Sequence, residues 1–219
     1  MERSCKQGHE MSIRDIIMLM NNSIVHGSVT YTASAFWTCP IGVTSLRVQL
    51  WGTGGGGGAG NGAQGGRGGG GGAYSESTVA VIPGNNYYVS VSAPGAASGY
   101  NGADGDDTVF GASMVKAAGG KGGSFGVNSS YGGSGGLASS SIGTITYSGG
   151  NGGDFDSGNP TLGGGQGGGA GSSGNGYAAN LSVNGSPGAG ISPPNSGGQG
   201  GNSTHNGSPG FPGQAILTW

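Results

Sequence analysis

Few residues in this sequence combine a type and a spacing that chemistry can use. Trp51-Gly52-Thr53-Gly54-Gly55-Gly56-Gly57 places Gly52, Gly54 and Gly57 at dinucleotide-fingerprint spacing, with Glu76 downstream. That fingerprint must open a helix whose N-terminus holds the pyrophosphate. The residues that follow are nearly all Gly, each costing about 1 kcal/mol relative to Ala in a helix. No phosphate-loop Lys follows either, so a nucleotide site is rejected. Gly149 to Asp156 begins like a calcium-binding nonapeptide repeat, but Asp156 replaces the expected apolar residue and no tandem copy follows. Asn101, Asp104, Asp106 and Asp107 form a second group of hard oxygen ligands of the kind Ca²⁺ takes. Solvated turn carboxylates are the ordinary explanation, and no metal site is assigned. His9, His26 and His205 lie in unrelated segments with no acid at a recognisable spacing. Asp104, Asp106 and Asp154 lack the apolar walls that shift carboxyl pKa values. Neither enzymatic activity nor a cofactor is expected.

The remaining candidates are suited to contact. Short insertions between the glycine runs carry Tyr100, Asn101 and Asp104; Tyr131; Tyr147; Asp154; Tyr177 and Asn180; and His205. Tyr offers a large amphipathic area at low entropy cost, and Asn adaptable hydrogen bonds. The competing explanation is that each aromatic caps the glycine zone and keeps water from its hydrogen bonds; Phe125, Phe155 and Phe211 fit that role better.

Something must hold these residues in place. The chain has 58 Gly and 9 Pro among 219 residues, well over twice the usual combined share of about 12%. Hydrophobic residues make up 32% and charged residues 7%, so a large apolar core is not expected. Lys and Arg total seven and the net charge is -2, which leaves no basic stripe for nucleic acid. Cys5 and Cys39 supply no disulfide framework; one bridge or two free thiols are the alternatives. No apolar run is long enough for a membrane span. Residues 11–25 include Arg14 and Asp15 and lack a small-residue cleavage site, so they do not read as a signal peptide.

Three zones emerge. In residues 1–27, Ser12 and Asp15 resemble a capping box, and Ile13, Ile16, Ile17 and Met20 line one face of a short helix. This reads as an attachment segment, the alternative being that it packs on its own domain. From about residue 29 to 92 the sequence alternates with the period of strands. Val29–Trp37, Thr44–Trp51, Tyr74–Ile82 and Tyr87–Ser92 are the expected strands, with Gln214–Trp219 closing the chain. Pro83-Gly84-Asn85 has turn chemistry and is expected to join the third and fourth as a hairpin. Residues 93–213 and the insert 52–73 are glycine-rich, with Gly recurring every third residue in many places, as at Gly62, Gly65, Gly68 and Gly71.

Three is the repeat of the polyproline II helix, which has no internal hydrogen bonds. If hydrogen atoms alone face the neighbours, such helices approach closely enough to exchange N–H···O=C bonds laterally. Ordering each residue costs about 1–2 kcal/mol and a net hydrogen bond returns about 0.5–1.5, so only a bundle would persist. Collagen is excluded because Gly-X-Y is never sustained and Pro is scarce. The expected fold is therefore all-β plus polyglycine II. Antiparallel strands over about 29–92 and 214–219 bracket a polyproline-II-type lattice, and residues 28–219 form one domain after the 1–27 segment.

Phe36-Trp-Thr-Cys-Pro40-Ile-Gly42-Val43 leading through Val48 to Trp51-Gly52, then Gly54–Gly58, Gly68–Tyr74, Val81-Ile-Pro-Gly84, Tyr87–Val91 and Gly213-Gln-Ala-Ile-Leu-Thr-Trp219 form a set. Over roughly residues 34–219 it resembles the glycine-rich domain at the ends of bacteriophage tail fibres and related receptor-binding proteins. The glycine core is also similar to the distal adhesins of T-even-like phages, in which stacked polyglycine II helices carry tip loops that bind host surface proteins or sugars. The Gly blocks here are less regular, and the N-terminal segment matches neither group. The resemblance implies a virion protein, assembled in the host cytoplasm, that binds other tail-fibre proteins through residues 11–27 and a bacterial surface protein or polysaccharide through its loops. Membrane insertion is not implied. Fibre trunks of this kind are often homotrimers, although no heptad seam is present. A passive spacer or decoration protein without receptor binding is the alternative. An ice-binding lattice would want a flat face of small residues, which the scattered Tyr and Asp interrupt.

Overall fold

The computed structural model describes residues 26–126, 132–154, 162–179 and 205–219. Two antiparallel sheets pack face to face. The first has the order β1 (Ser28–Tyr31), β9 (Gln214–Thr218), β3 (Ser45–Trp51), β4 (Tyr74–Ala80), β8 (Ile145–Tyr147). The second runs β2 (Ala35–Thr38), β5 (Asn86–Ser90), β6 (Thr108–Phe110), β7 (Val115–Ala117). Apart from one 3₁₀ turn at Ala138–Ser140, no helix occurs among the described residues. The expected helix with Ile13, Ile16, Ile17 and Met20 lies outside them.

Alternation in β3 sorts its residues as the pleat requires. Leu46, Val48 and Leu50 point into the layer between the sheets, where they meet Trp37, Val89, Phe110, Val115 and Leu217. A compact apolar core thus exists despite the composition, because the few apolar residues are concentrated in the strands. Trp37 supplies its aromatic centre, with Tyr87, Phe110 and Trp219 rings 5.5–6.3 Å away. On the opposite face of β3, Trp51 packs with Tyr74 and Ala170 in a second cluster.

Two strand expectations are corrected. Residues 29–37 are not one strand: a bend at Thr32 and Ala33 sends β1 into one sheet and β2 into the other. The hairpin of residues 74–92 also fails, because β4 pairs with β3 and β8 while β5 pairs with β2 and β6. Pro83-Gly84-Asn85 does turn, with Gly84 at φ +82°, but it carries the chain between sheets. Gly84 N–H donates to Cys39 O, and Cys39 N–H donates to Asn85 O, tying the turn to the end of β2. Cys39 itself is a buried free thiol. The short strands β6, β7 and β8 were not expected, because all three lie inside the glycine-rich zone.

Beyond the sheets the chain makes repeated excursions. Strand β3 runs on into residues 52–59, which turn and return as 66–73 into β4; β5 and β7 likewise lead into residues 91–97 and 118–126. These segments carry no strand assignment, yet they are bonded laterally, each successive residue choosing a different neighbour. Gly55 N–H donates to Gly70 O (3.0 Å), Gly56 to Ala103 O (2.9 Å) and Gly57 to Ser208 O (2.8 Å). The next three repeat the cycle: Gly58 donates to Arg67 O, Ala59 to Tyr100 O and Gly60 to His205 O. Such a three-way alternation needs an extended segment with neighbours on several sides.

Segments 52–59 and 66–73 are central. The first exchanges bonds with 66–73, Gly95, 100–106, 120–126 and 208–211; the second reaches 118–124, 133–136, 150–153 and 164–170. Neighbours on every side explain why these two runs are almost pure Gly. Outer segments read Gly-Gly-X instead, with Lys121 and Ser124, Ser134 and Leu137, or Ser148, Asn151 and Asp154 at every third place. Arg67 is the exception, a cation in a central segment at 1% exposure. Burial lowers its pKa, and the Asp154 charge opposes that shift.

Candidate functional site

The excursions give the molecule two unlike ends. The sheets, Gly27 and Trp219 lie at one end, where Gly27 and Trp219 exchange backbone bonds of 2.9 Å. At the other lie the turns 60–65 and 98–101, with Gly126 and His205, which flank 127–131 and 180–204. Contacts fix this grouping: Gly126 N–H reaches Ala59 O at 2.9 Å, and Gly60 N–H reaches His205 O at 3.2 Å.

The candidate contact residues divide by position. Tyr100 is 73% exposed at the far end, its ring 5.3 Å from that of Phe125, and His205 lies beside it in an exposed turn. Asn61, which the sequence reading passed over, organises the same end. Its side-chain oxygen accepts the N–H groups of Ala63 (3.0 Å) and Gln64 (2.7 Å), and its amide N–H donates to Gly126 O. The Asn-Gly pair inside a glycine insert was the available turn signal. Tyr177 is exposed on the flank at 65%. Tyr147 is elsewhere: it sits on β8 at the sheet end, stacked on Tyr74 at 6.1 Å. Tyr131 and Asn180 lie outside the described residues.

Asn101, Asp104 and Asp154 are engaged by the scaffold. Asn101 Oδ1 accepts Phe125 N–H at 2.8 Å, Asp104 Oδ1 accepts Gly122 N–H at 2.9 Å and Asp107 Oδ1 accepts Gly119 N–H at 3.0 Å. A second row does the same: Ser148 Oγ, Asn151 Oδ1 and Asp154 Oδ1 accept the N–H groups of Ala138, Gly135 and Gly132 at 2.9 Å each. The spacing is three in both rows. In most cases the following Gly completes a clip, donating its own N–H to the same neighbour: Gly102 to Gly123 O, Gly105 to Gly120 O, Gly149 to Gly136 O and Gly152 to Gly133 O. Each clip thus satisfies an outer N–H that the glycine faces leave over.

This periodicity separates the carboxylates. Asp104 and Asp107 face different amides, while the Asp106 carbonyl accepts Thr53 N–H. Among the described residues no group of three His, Cys, Asp or Glu converges on a common point. Lys121 pairs with Asp104 at 2.8 Å and Lys116 with Asp107 at 3.0 Å, both near the surface. Partial burial pushes the Asp104 carboxyl up, but the Lys121 ammonium and the Gly122 N–H outweigh it and hold the pKa below its usual value.

The densest ionisable cluster is at the sheet end. Arg47 binds Glu76 through Nε and Nη2, at 2.6 and 3.0 Å, while Tyr74 and Gln49 also donate to Glu76. Burial raises the Glu76 pKa, and the bonds from Arg47, Tyr74 and Gln49 bring it below its usual value. Burial and the Glu76 contact together push the Tyr74 hydroxyl up. With both its oxygens engaged, Glu76 cross-links β3 to β4. Among the described residues no helix is long and apolar enough to cross a membrane.

Residues 30–219 match the family model of the glycine-rich domain. No curated protein matches the chain.

Proposed function

The chain belongs to the glycine-rich domain family, and on that premise we propose that it is a structural and host-recognition protein of a bacteriophage tail fibre or fibre tip. In this reading the laterally bonded segments are polyglycine II helices, forming a stiff scaffold. The loops at its far end contact a bacterial surface protein or polysaccharide. The sheet end, which the chain enters from residues 1–27, faces other virion proteins.

The observation that carries this reading is the polarity of the chain path. Four neighbouring turns or loop flanks gather at one end, including the exposed Tyr100 with Phe125, while the sheets occupy the other. A rigid base carrying clustered loops is the usual arrangement for recognition. The purified chain in excess is expected to compete with the parent particle for adsorption to susceptible bacteria. Tyr100→Ser is expected to weaken that competition about tenfold or more, as loss of an exposed aromatic anchor does, with an unchanged melting temperature. Absence of competition on every susceptible strain would favour a second reading, a passive spacer or decoration subunit. One observation supports that second reading: Asn101, Asp104 and Asp154 bond to their own scaffold.

A further inference from the structure

Five Asn-Gly pairs occur among the described residues: Asn61-Gly62, Asn101-Gly102, Asn151-Gly152, Asn175-Gly176 and Asn206-Gly207. This dipeptide can modify itself. The Gly nitrogen attacks the Asn side-chain carbonyl carbon, a five-membered imide forms and the side-chain nitrogen leaves as ammonia. Water then opens the imide to Asp or to isoaspartate, so the net reaction exchanges water for ammonia and needs no other reagent. The Gly nitrogen must therefore be free to turn toward the side-chain carbonyl carbon.

In three pairs the scaffold holds that nitrogen. Gly102, Gly152 and Gly176 direct their N–H groups at the carbonyls of Gly123, Gly133 and Ser148, all at 2.8 Å. Their Asn side-chain oxygens accept Phe125, Gly135 and Ser148 N–H, at 2.8–2.9 Å. Attack would require the Gly nitrogen to leave its acceptor and the chain to rotate out of a packed row, so reaction waits on local opening.

Asn61-Gly62 is arranged oppositely. The Gly62 nitrogen donates to no described residue, and both Asn61 and Gly62 are exposed in the far-end turn. The Asn61 side chain is itself bonded, Oδ1 accepting the N–H groups of Ala63 and Gln64 and the amide donating to Gly126 O, so the Gly62 nitrogen, with no acceptor among the described residues, is what separates this pair from the three clipped ones. We propose that Asn61 is a self-modification site at the loop end of the molecule, converting to Asp and isoaspartate, while the clipped Asn101, Asn151 and Asn175 are held inert. Conversion places a new negative charge beside Tyr100 and Phe125. It also lengthens the backbone at the turn wherever isoaspartate forms.

The test uses the full-length chain incubated at mildly alkaline pH, folded and in denaturant, with peptide mapping that separates Asp from isoaspartate. In the folded protein Asn61 is expected to convert at least about tenfold faster than Asn101, Asn151 and Asn175. In denaturant that preference should disappear. Folded-state rates within a few-fold of one another would overturn the proposal, as would any clipped Asn reacting ahead of Asn61. An Asn61→Gln variant, which cannot close a five-membered ring, is expected to lack the early product and to leave the clipped sites unchanged; persistence of the early product would also overturn it.

Discussion

Gly70→Ala is expected to cost about 3–5 kcal/mol, a large share of the stability of a domain this size, whereas Gly99→Ala is expected to be neutral or slightly stabilising. Both add one methyl group to a glycine-rich segment, so neither composition nor helix propensity separates them. Gly70 lies in central segment 66–73, where an added Cβ would meet Ser134 O at 2.1 Å and the Ser134 carbonyl carbon at 2.4 Å. No flexible side chain can yield there, because the obstacle is backbone. The segments would have to part, straining the bonds Gly70 N–H to Lys121 O and Gly55 N–H to Gly70 O. Overpacking costs about 1–3 kcal/mol, and each weakened bond adds about 0.5–1.5, against a total stability of about 5–15. At Gly99 the nearest atom to the added Cβ is Asn206 Oδ1 at 3.9 Å. There the methyl mainly restricts the unfolded chain, which favours folding by about 0.4–1 kcal/mol. Urea denaturation of the two variants beside the parent measures the difference; equal midpoints would mean that the glycine faces are not in contact.

Trp51→Ala is the second large effect, expected at about 3–5 kcal/mol, with Trp51→Phe costing about half as much. Trp51 is fully buried where β3 passes into segment 52–59, its ring 5.0 Å from Tyr74, which leads segment 66–73 into β4. The pair Trp51↔Tyr74 is the last rung of the β3–β4 ladder. It therefore sets the register in which the two central segments leave the sheet. Truncation opens a cavity under both. Phe keeps most of the apolar contact, and the indole N–H it removes is buried without an acceptor among the described residues, so no hydrogen bond is lost. Thermal unfolding followed by near-ultraviolet circular dichroism checks the ranking; an Ala variant as stable as the Phe variant would remove Trp51 from this role.

How far the sequence reading reached depends on what each segment needs from distant residues. Strand β3 was legible because Leu46, Val48 and Leu50 alternate with polar neighbours, a signal contained within eight residues. Strands β6 and β8 are three residues each, too short for a period to register. The sheet change at residues 81–85 depends on Cys39, more than forty positions away, so turn chemistry alone suggested a hairpin. The side-chain clips show the same limit. Every third position of the two clip-bearing rows was visible as Asn, Asp or Ser, but an exposed Asn that contacts a partner and one that closes its own scaffold have the same local sequence. Asn101 and Asp104 therefore resemble contact residues in sequence, and at Asn61 the Asn-Gly pair signalled the turn locally while the bond to Gly126 O, 65 residues away, did not show.

These physical roles bear on the recognition reading. Residues whose side chains hold the scaffold are poor places for a binding surface to vary, since each change exposes an outer N–H as well as altering a contact. Tyr100 carries no such duty: its backbone serves the scaffold through the Ala59 bond while its ring faces solvent. Under that proposal, variation in specificity is best accommodated at the turn tips.

Hydrogen–deuterium exchange resolved to single residues tests the central claim most directly, since the glycine segments are held by backbone bonds and almost nothing else. Amides of Gly55 to Gly58 and of Gly68, Gly70 and Gly71 are expected to exchange as slowly as those of β3, while Gly99 and Gly62 exchange freely. Exchange at Gly55 to Gly58 and at Gly68, Gly70 and Gly71 as fast as in an unfolded chain, with β3 still protected, would contradict the account.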